Sequence, residues 1–401
     1  AILRDLAEAE GEAVDRDLLL DRHWGPGSGS PASMAKSIYQ LRQALGFSDF
    51  VYIDAIYGHG YRLRLCRPGT AANDHTEKSR AMCAEAGHRL HELSAQSLNT
   101  ASAMYLSARK LNPGFVNATI GYAQAQFQQL ATGQVGVDET WPSLQQILHE
   151  AQIHDSHSAD LLALLAKGQC LCEWDLGSAY KSLNMALRLA PADYIPNDTA
   201  ARILLFQGRL EDALVYLQRA LNANPFSGRN LGLLAFTQCM LGEADAALKV
   251  INEAYQFDTA NVELQAWYAV VHALHGDVNR AAAVATSLKE HLAGVATIEA
   301  LAALALVKSG RHAQARIALE SLEPRRGHGP SGAMLSAIAW CNLGDMSAAA
   351  RCLEVAADDR EYWLGALLFH PEIRCMQSLP MYQKVLNQIQ HTATWPMRVA
   401  E

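Results

Sequence analysis

Two short motifs place reactive or phosphate-binding residues at spacings that could support chemistry. Ser33-Met34-Ala35-Lys36 has the Ser-x-x-Lys spacing in which a lysine activates a serine nucleophile, but the companion Ser-Asp-Asn and Lys-Thr-Gly motifs are absent. The glycine-rich segment 25–29 is not followed by the Gly-Lys-Ser/Thr sequence that holds phosphate, so we predict a loop. These motifs therefore predict no catalytic residues.

Paired histidines and cysteines are the other candidates for chemistry. His88 and His91, like a second pair at residues 154 and 157, stand one helical turn apart and could hold a metal with a third ligand. No His-Glu-x-x-His motif accompanies them, and Cys170-x-Cys172 has the wrong gap for a zinc knuckle. We therefore expect solvated or core side chains, with no metal, no cofactor and no enzymatic activity.

Composition indicates a helical protein inside a reducing compartment. The chain has 401 residues, 50% of them apolar and 7% aromatic, with a net charge of -8. Its eight cysteines are scattered, and no run approaches the roughly 18 apolar residues of a membrane span, so we expect a cytoplasmic location. Because the chain begins at Ala1 inside an apolar-periodic run, we expect further residues upstream.

A 34-residue repeat dominates the second half of the chain. Gly208, Gly242, Gly276, Gly310 and Gly344 are each 34 residues apart, and each precedes a polar turn. Such a turn favours glycine because positive φ is costly for other residues. Two alanine series share the step, at positions 179, 213, 247, 281, 315 and 349 and at positions 201, 235, 269, 303 and 337. Small residues are required where paired helices cross closely.

These three series in register resemble the tetratricopeptide family over residues 164–360. The fold class predicted is therefore mainly α: a helical solenoid over 164–390, ending in a capping helix pair from Phe369 to Ile389. Upstream, Leu111-Asn112-Pro113 indicates one more hairpin, with about ten extra residues expected within 131–141. Residues 81–163 are therefore predicted to form irregular helical hairpins.

Solenoids of this kind generally bind a partner on their concave surface. The expected groove residues each follow an alanine of the second series by one position. They are Arg202, Phe236, Val270, Leu304 and Ile338. This row is more apolar than a groove for charged peptide tails. It predicts either a partner helix or small apolar effector as ligand, or a surface covered by the protein itself; a pure spacer is a further alternative.

Residues 1–65 follow a different pattern, of three helices and a β-hairpin. Helices are predicted over residues 1–9, 16–24 and 32–45, the second capped by Asp15. Alternating β-type sequence follows, with Gly58-His59-Gly60 as the turn. This order, a winged helix-turn-helix of α+β class, resembles the OmpR/ToxR-type effector domain, whose recognition helix matches residues 38–45 and whose wing matches residues 53–63. The N-terminal four-stranded sheet of that family is missing from these residues.

The resemblance implies binding to double-stranded promoter DNA. The recognition helix would enter the major groove, where Gln40 could pair with an adenine edge while Arg42 and Ser33 bind phosphates. An internal ion pair is the alternative role for Arg42. The DNA-binding residues implied are Ser33, Lys36, Ser37, Tyr39, Gln40, Arg42, Gln43, Tyr57, His59 and Arg62.

Two features favour weak DNA binding or none. Tyr57 stands where the family often has an arginine for the minor groove, and residues 1–65 contain more Asp and Glu than Lys and Arg. Non-specific affinity should therefore be low unless a partner, a homodimer or upstream residues add to it. An adaptor that acts through the repeats without binding DNA is the competing hypothesis.

The polar segment 66–80 is predicted to link the two parts. No membrane helix follows it, unlike ToxR-like relatives, and the arrangement most resembles HilA-type activators. That resemblance implies a transcription activator, often of secretion or virulence genes, whose promoter and partner the sequence does not name.

Overall fold

The first sixty-five residues contain three short strands and the helices that pack on them. The computed structural model describes residues 1–25, 34, 37–38, 41, 51–56, 60–65, 74–90, 92–322 and 332–390. Its first elements are α1 (Ile2–Glu8), β1 (Val14–Asp15), α2 (Arg16–Trp24), β2 (Val51–Ile56) and β3 (Gly60–Leu65). Between α2 and β2, the four described residues at positions 34, 37, 38 and 41 are helical. The predicted order of three helices and a hairpin is confirmed where the chain is described.

The small sheet has the strand order β1-β3-β2, with both pairs antiparallel. The strand β1 was not expected, because two residues give no alternating pattern to detect. Val14 pairs with Tyr61 and Asp15 with Gly60. A Cβ on Gly60 would lie 2.1 Å from the Val14 carbonyl oxygen, so this approach requires glycine.

One apolar cluster holds these elements together. It joins α1, α2, the helical residues 34 and 38, and the two long strands, through Ile2, Leu6, Leu19, Leu20, Met34, Ile38, Ile53 and Leu63. The side chain of Asp15 accepts hydrogen bonds from Asp17 N and Leu18 N, which confirms the predicted cap of α2. The first unit of the chain, residues 1–88 with 103–121, thus has its own core.

Four long helices come next: α3 (Asp74–Leu90), α4 (Ala95–Leu111), α5 (Val116–Thr132) and α6 (Val137–His154). Residues 74–80, expected in the linker, are instead the first two turns of α3. The extra residues expected as an irregular segment within 131–141 extend α5 and α6, which have 17 and 18 residues. Only residues 133–136 between them are non-helical, since helix-forming Gln and Ala continue up to Gly133, whose φ is 73°.

Six helical hairpins follow within the second unit, which comprises residues 89–102 and 122–401. Their helices are α7 (Ala159–Leu171), α8 (Leu176–Leu189), α9 (Tyr194–Phe206), α10 (Leu210–Ala223), α11 (Gly228–Met240), α12 (Ala244–Phe257), α13 (Val262–His275), α14 (Val278–His291), α15 (Ala296–Lys308), α16 (His312–Ser321), α17 (Ala333–Asn342) and α18 (Met346–Asp358). Successive hairpins also pack through their first helices, which we call the inner helices.

Both predicted alanine series are fully buried, every member having 0% exposure. They lie where the helices of one hairpin and of its neighbours cross, so no larger side chain would fit without moving a helix. Larger residues of the same helices, such as Leu217, Ile251, Leu319 and Leu353, are 0 to 1% exposed and fill the next layer. The predicted solenoid architecture is confirmed.

Four of the five repeat glycines have the positive φ that the turn was expected to need, between 72° and 83°. Gly276 is the exception, with φ of -129°. Its helix α13 continues to His275, and the ring nitrogen Nδ1 of His272 accepts the backbone N–H of Asp277 at 3.0 Å. The turn after α13 is therefore built by a histidine side chain instead of a left-handed glycine.

The C-terminal cap differs from the expected helix pair. It consists of the short helix α19 (Leu364–Leu368), a 3-10 helix (Pro371–Met376) and α20 (Pro380–Gln390). Pro371 and Pro380 each start a new element, because proline cannot donate the hydrogen bond that continues a helix. The phenolic O–H of Tyr382 donates to the Leu368 carbonyl at 3.1 Å and joins α20 to α19.

Candidate nucleic-acid interface and repeat groove

The predicted DNA-binding residues fall mostly outside the described residues. Those not described are Ser33, Lys36, Tyr39, Gln40, Arg42, Gln43, Tyr57 and His59. Met34 and Ile38, which are 0% and 2% exposed, turn one side of the helical segment into the core, and Leu41 packs against them. Ser37, on the same segment, is half-buried.

Arg62 is the other described member of the set. It lies on β3 opposite Asp54, and its Nε atom is shielded from solvent within the domain. Part of the Arg62 side chain is therefore packed within the domain. Asp5 joins α1 to α2, because its Oδ2 atom lies 2.9 Å from His23 Nε2 and 3.5 Å from Arg22 Nη1.

The expected groove residues lie on the inner helices, as predicted, but they are not open. Arg202, Phe236, Leu304 and Ile338 are 0 to 5% exposed, and Val270 is half-buried. Two of them are contacted by residues near the C-terminus, since Tyr362 bonds to Arg202 and His370 stacks on Phe236. In this conformation these five residues do not form a vacant ligand site.

A single stretch near the C-terminus provides much of this cover. We call residues 361–376, which include α19 and the 3-10 helix, the groove segment. Trp363 donates its indole N–H to the Ala131 carbonyl at 2.9 Å and meets the Trp267 ring edge-on, with centroids 5.4 Å apart. His370 stacks on Phe236 at 6.4 Å. These contacts reach α5, α11 and α13 together.

Two glycines allow the groove segment to approach closely. A Cβ on Gly365 would lie 2.2 Å from the Phe206 ring, and a Cβ on Gly208 would lie 2.7 Å from the Phe369 ring. Gly365 therefore has a packing role that its sequence context did not reveal, and Gly208 serves both its turn and this contact.

Buried charges lie beneath the groove segment. Arg202 Nε donates to both carboxylate oxygens of Asp198, at 3.0 and 2.9 Å, and its Nη1 donates to the Tyr362 hydroxyl at 3.3 Å. Arg229 is paired with Glu263 at 2.7 Å. The ammonium of Lys167 lies over two rings, 4.8 Å from the centroid of Phe127 and 5.7 Å from that of Tyr362.

The pKa values of these groups reflect burial first and neighbouring charges second. Burial, reinforced by Arg202, lowers the pKa of Lys167 well below its usual range. Burial would raise the pKa of Asp198, but the charges of Arg202 and Lys167 outweigh it and lower that pKa. Cations and carboxylates thus hold one another in place inside the groove.

One cavity in the groove is small. A cavity of about 10 Å³ lies between α9, α11 and the groove segment, lined by Arg202, Phe206, Leu233, Tyr362 and Trp363 among others. That volume accommodates about one water molecule, whereas small-molecule pockets are typically hundreds of Å³. An apolar effector would therefore not fit in this cavity.

The described residues do not bring the candidate metal ligands together. Among them, no three or more His, Cys, Asp or Glu side chains are grouped to hold a metal. His88, His154 and His157 are exposed, while His91 lies outside the described residues. The Cys170 and Cys172 thiols are buried, and burial raises the pKa of Cys172 to about 12. In the described part of the chain no helix is long and apolar enough to cross a membrane.

The described elements form a winged-helix domain and an array of tetratricopeptide-type hairpins. Residues 1–63 match the family described as "Transcriptional regulatory protein, C terminal". Over 63 residues, 16% of this chain, the sequence is 41% identical to "Transcriptional regulator HilA" of Salmonella typhimurium and 40% identical to that of Salmonella typhi. The matched segment covers 11% of those proteins.

The repeat array is similar in fold to solved structures. Over 79% of this chain, the fold is similar to that in "Crystal structure of APC/C hetero-tetramer Cut9-Hcn1", with a TM-score of 0.55 and 13% identity over 57% of that chain. At that identity the likeness concerns the fold alone. Residues 1–63 therefore resemble a transcription-regulator domain, and the hairpins that follow have a tetratricopeptide-type fold.

Proposed function

We propose that this protein is a cytoplasmic transcriptional regulator that binds promoter DNA through residues 33–62 and is not an enzyme. The observation that carries the proposal is the shared core of α1, α2, residues 34 and 38, and the two long strands, in a segment that matches the regulator family. A helix fixed by Met34 and Ile38 on its inner side is placed to offer its other side to a major groove.

The domain boundaries that go with this function are 1–65 for DNA binding, 66–73 for the connection, 74–163 for irregular hairpins and 164–390 for the array. Because the winged-helix segment is more acidic than basic, we propose that it binds specific sites weakly as a monomer and that a homodimer or partner raises occupancy.

A mobility-shift titration of the full chain, at low salt, tests DNA binding. The probes are duplexes selected from a random pool and the region upstream of its own gene. Arg42→Ala should weaken all sequences alike and reduce the salt slope by about one, whereas Gln40→Ala should cost about 1–3 kcal/mol at a single base position. Lys181→Ala, at an exposed position of α8, is the control and should bind like the wild type.

Absence of a shift for the wild-type chain, or equal shifts for all variants, would overturn the regulator proposal and favour the adaptor. The observations behind the adaptor are Tyr57 in the wing and the acidic balance of residues 1–65. In that case the array alone would carry the function.

We further propose that the array binds a protein partner only when the groove segment leaves the inner helices. The contacts of the groove segment support this proposal. The ring of His370 stacks on Phe236, and that of Trp363 packs edge-on against Trp267. The hydroxyl of Tyr362 accepts a hydrogen bond from Arg202. A short aromatic helix of a partner would make the same kinds of contact.

A further inference from the structure

Two buried cations lie against one tyrosine of the groove segment. The ammonium of Lys167 is 5.7 Å from the centroid of the Tyr362 ring, and Nη1 of Arg202 donates to the Tyr362 hydroxyl at 3.3 Å. All three side chains are buried. We propose that Lys167 and Arg202 form a binding site for a small aromatic carboxylate, which takes the place of the Tyr362 side chain.

The carboxylates of this cluster leave donors of the cations unused. Asp198 accepts from Nε of Arg202, and Glu263 is paired with Arg229. The Nη2 atom of Arg202 is buried and has no hydrogen-bond partner. Within the described part of the chain, no carboxylate is paired with Lys167, which contacts aromatic rings instead. The cluster therefore has one cationic side chain more than it has carboxylates, counted over the described residues.

The Tyr362 hydroxyl is a weak partner for the guanidinium. Its distance of 3.3 Å from Arg202 Nη1 is longer than the roughly 2.7–2.9 Å of a hydrogen bond between a cation and a carboxylate. The guanidinium presents its N–H groups as a planar fork, so a carboxylate at this position would accept from both Nη1 and Nη2. It would also bring the negative charge that the hydroxyl lacks.

The remaining contacts of the site favour an aromatic ring on that carboxylate. The Lys167 ammonium lies over the rings of Phe127 and Tyr362, and a ligand ring in place of Tyr362 would restore the second cation–π contact. The small cavity beside Tyr362 is lined mainly by apolar side chains, such as Leu171 and Leu233. A second charge on the ligand would be buried there without a partner, so the ligand class is a monocarboxylate.

Binding should change the protonation of Lys167. Burial, with Arg202 next, lowers the pKa of Lys167 and disfavours its charged form. The other charged groups that act on it are Asp198 of α9, Arg229 of α11 and Glu263 of α13. A carboxylate beside the amine would favour the charged form, so the ligand should bind with the uptake of a proton.

Calorimetry of the full chain with benzoate tests the site. Benzamide is the matched probe, because it keeps the ring and removes the charge. We expect the wild type to bind benzoate at least about tenfold more tightly than benzamide. The heat of benzoate binding should differ between buffers of different ionisation enthalpy, by the amount that corresponds to about one proton per site. Equal affinities for the two probes, or equal heats in the two buffers, would overturn the proposal.

Variants assign the binding to these side chains. Tyr362→Ala removes the occupant and should bind benzoate about tenfold or more tightly than the wild type does. Lys167→Met should lose the preference for benzoate and the proton uptake, whereas Lys181→Met, at an exposed position of α8, should behave like the wild type. If Lys167→Met does not fold, the two probes on the wild type still decide. Binding by Tyr362→Ala with none by the wild type would mean that the substitution had created the cavity, and it too would overturn the proposal.

Hydrogen exchange locates the ligand. Saturating benzoate should speed exchange in residues 361–368 of the wild type by about tenfold or more, because Tyr362 leaves the inner helices. Benzamide should have no such effect. Benzoate that binds without changing this exchange would be an adventitious ligand on another surface and would contradict the proposal. The test uses neither DNA nor a protein partner, so this proposal and the proposed function can fail independently.

Discussion

At the residue scale, the inner face of the array depends on a cluster of charges, of which Lys167, Asp198 and Arg202 are buried and Arg229 and Glu263 are half-buried. Lys167, Arg202 and Arg229 share two carboxylates, those of Asp198 and Glu263, among the described residues of this cluster. Removing one charged side chain of such a set leaves its partners as unpaired buried charges. The loss in free energy of unfolding is then far larger than the net stabilisation that the intact ion pair provides. The cluster therefore fixes the arrangement of α7, α9 and α11.

The Asp198 carboxylate is the member whose loss should be most costly. Asp198→Ala leaves Arg202 and Lys167 without their nearest carboxylate, and we expect a loss of about 3–5 kcal/mol in the free energy of unfolding. Urea denaturation followed by circular dichroism measures it. Asp212→Ala is the control, because it removes a half-exposed pair with Arg209, for which about 0–1 kcal/mol is expected. Equal losses would contradict this reasoning.

Glu361, at the start of the groove segment, should make stability depend on pH. Burial raises its pKa to about 7, although its carboxylate accepts the Met334 N–H at 3.0 Å. The folded state therefore holds this proton more tightly than the unfolded state. The contribution of Glu361 to the free energy of unfolding is fully present below about pH 4.5 and declines as the pH rises towards 7.

Glu361→Gln should remove that decline. Urea unfolding at pH 5 and pH 8 should show wild-type stability falling relative to the variant by up to roughly 3 kcal/mol between the two. Glu320→Gln, at an exposed position of α16, should follow the wild type at both pH values. A parallel response of wild type and Glu361→Gln would show that this carboxyl does not titrate as proposed.

At the element scale, the repeat could be predicted because its physical requirement is local and periodic. Each hairpin needs small residues at the same two crossings, so Ala213, Ala235 and their equivalents recur every 34 residues and are all buried. Gly276 shows the limit of such reasoning: it keeps the spacing, yet His272 supplies its turn. A histidine five residues before an aspartate has no fixed pattern that would reveal this.

One helix offers a direct test of the crossings. Ala281 and Ala283 are both on α14, but the first is fully buried and the second is exposed. Ala281→Leu should destabilise the protein by about 1–3 kcal/mol through overpacking, while Ala283→Leu should change stability by less than about 0.5 kcal/mol. Thermal unfolding of both variants measures the difference, and similar melting curves would contradict the role assigned to the alanine series.

At the scale of the second unit, the groove is a long-range feature that sequence periodicity does not reach. Counting the 34-residue repeat could place the row from Arg202 to Ile338 on the inner helices. It could not predict that these side chains are buried or which residues cover them. The contact of Trp363 with Ala131 joins residues 232 positions apart, and nothing in either local sequence indicates it. The sequence therefore predicted the position of the site and left its state open.

Trp363 is the residue whose removal should open the groove. Trp363→Ala loses the hydrogen bond to Ala131 and the ring contact with Trp267, so residues 361–376 should exchange hydrogen faster, by about tenfold or more. Exchange in α12 and α14 should stay as in the wild type. Ile317→Ala, whose side chain is 69% exposed, is the control. Unchanged exchange in Trp363→Ala would mean that the groove segment is held by other contacts.

The position of the groove segment in the chain has a consequence for synthesis. All six hairpins, which end at Asp358, leave the ribosome before residues 361–376 do. For that interval the inner helices expose Phe236, Trp267 and the charges around Arg202 to whatever else is present. A chaperone or partner that arrives during translation would meet an open surface that the finished protein has already covered.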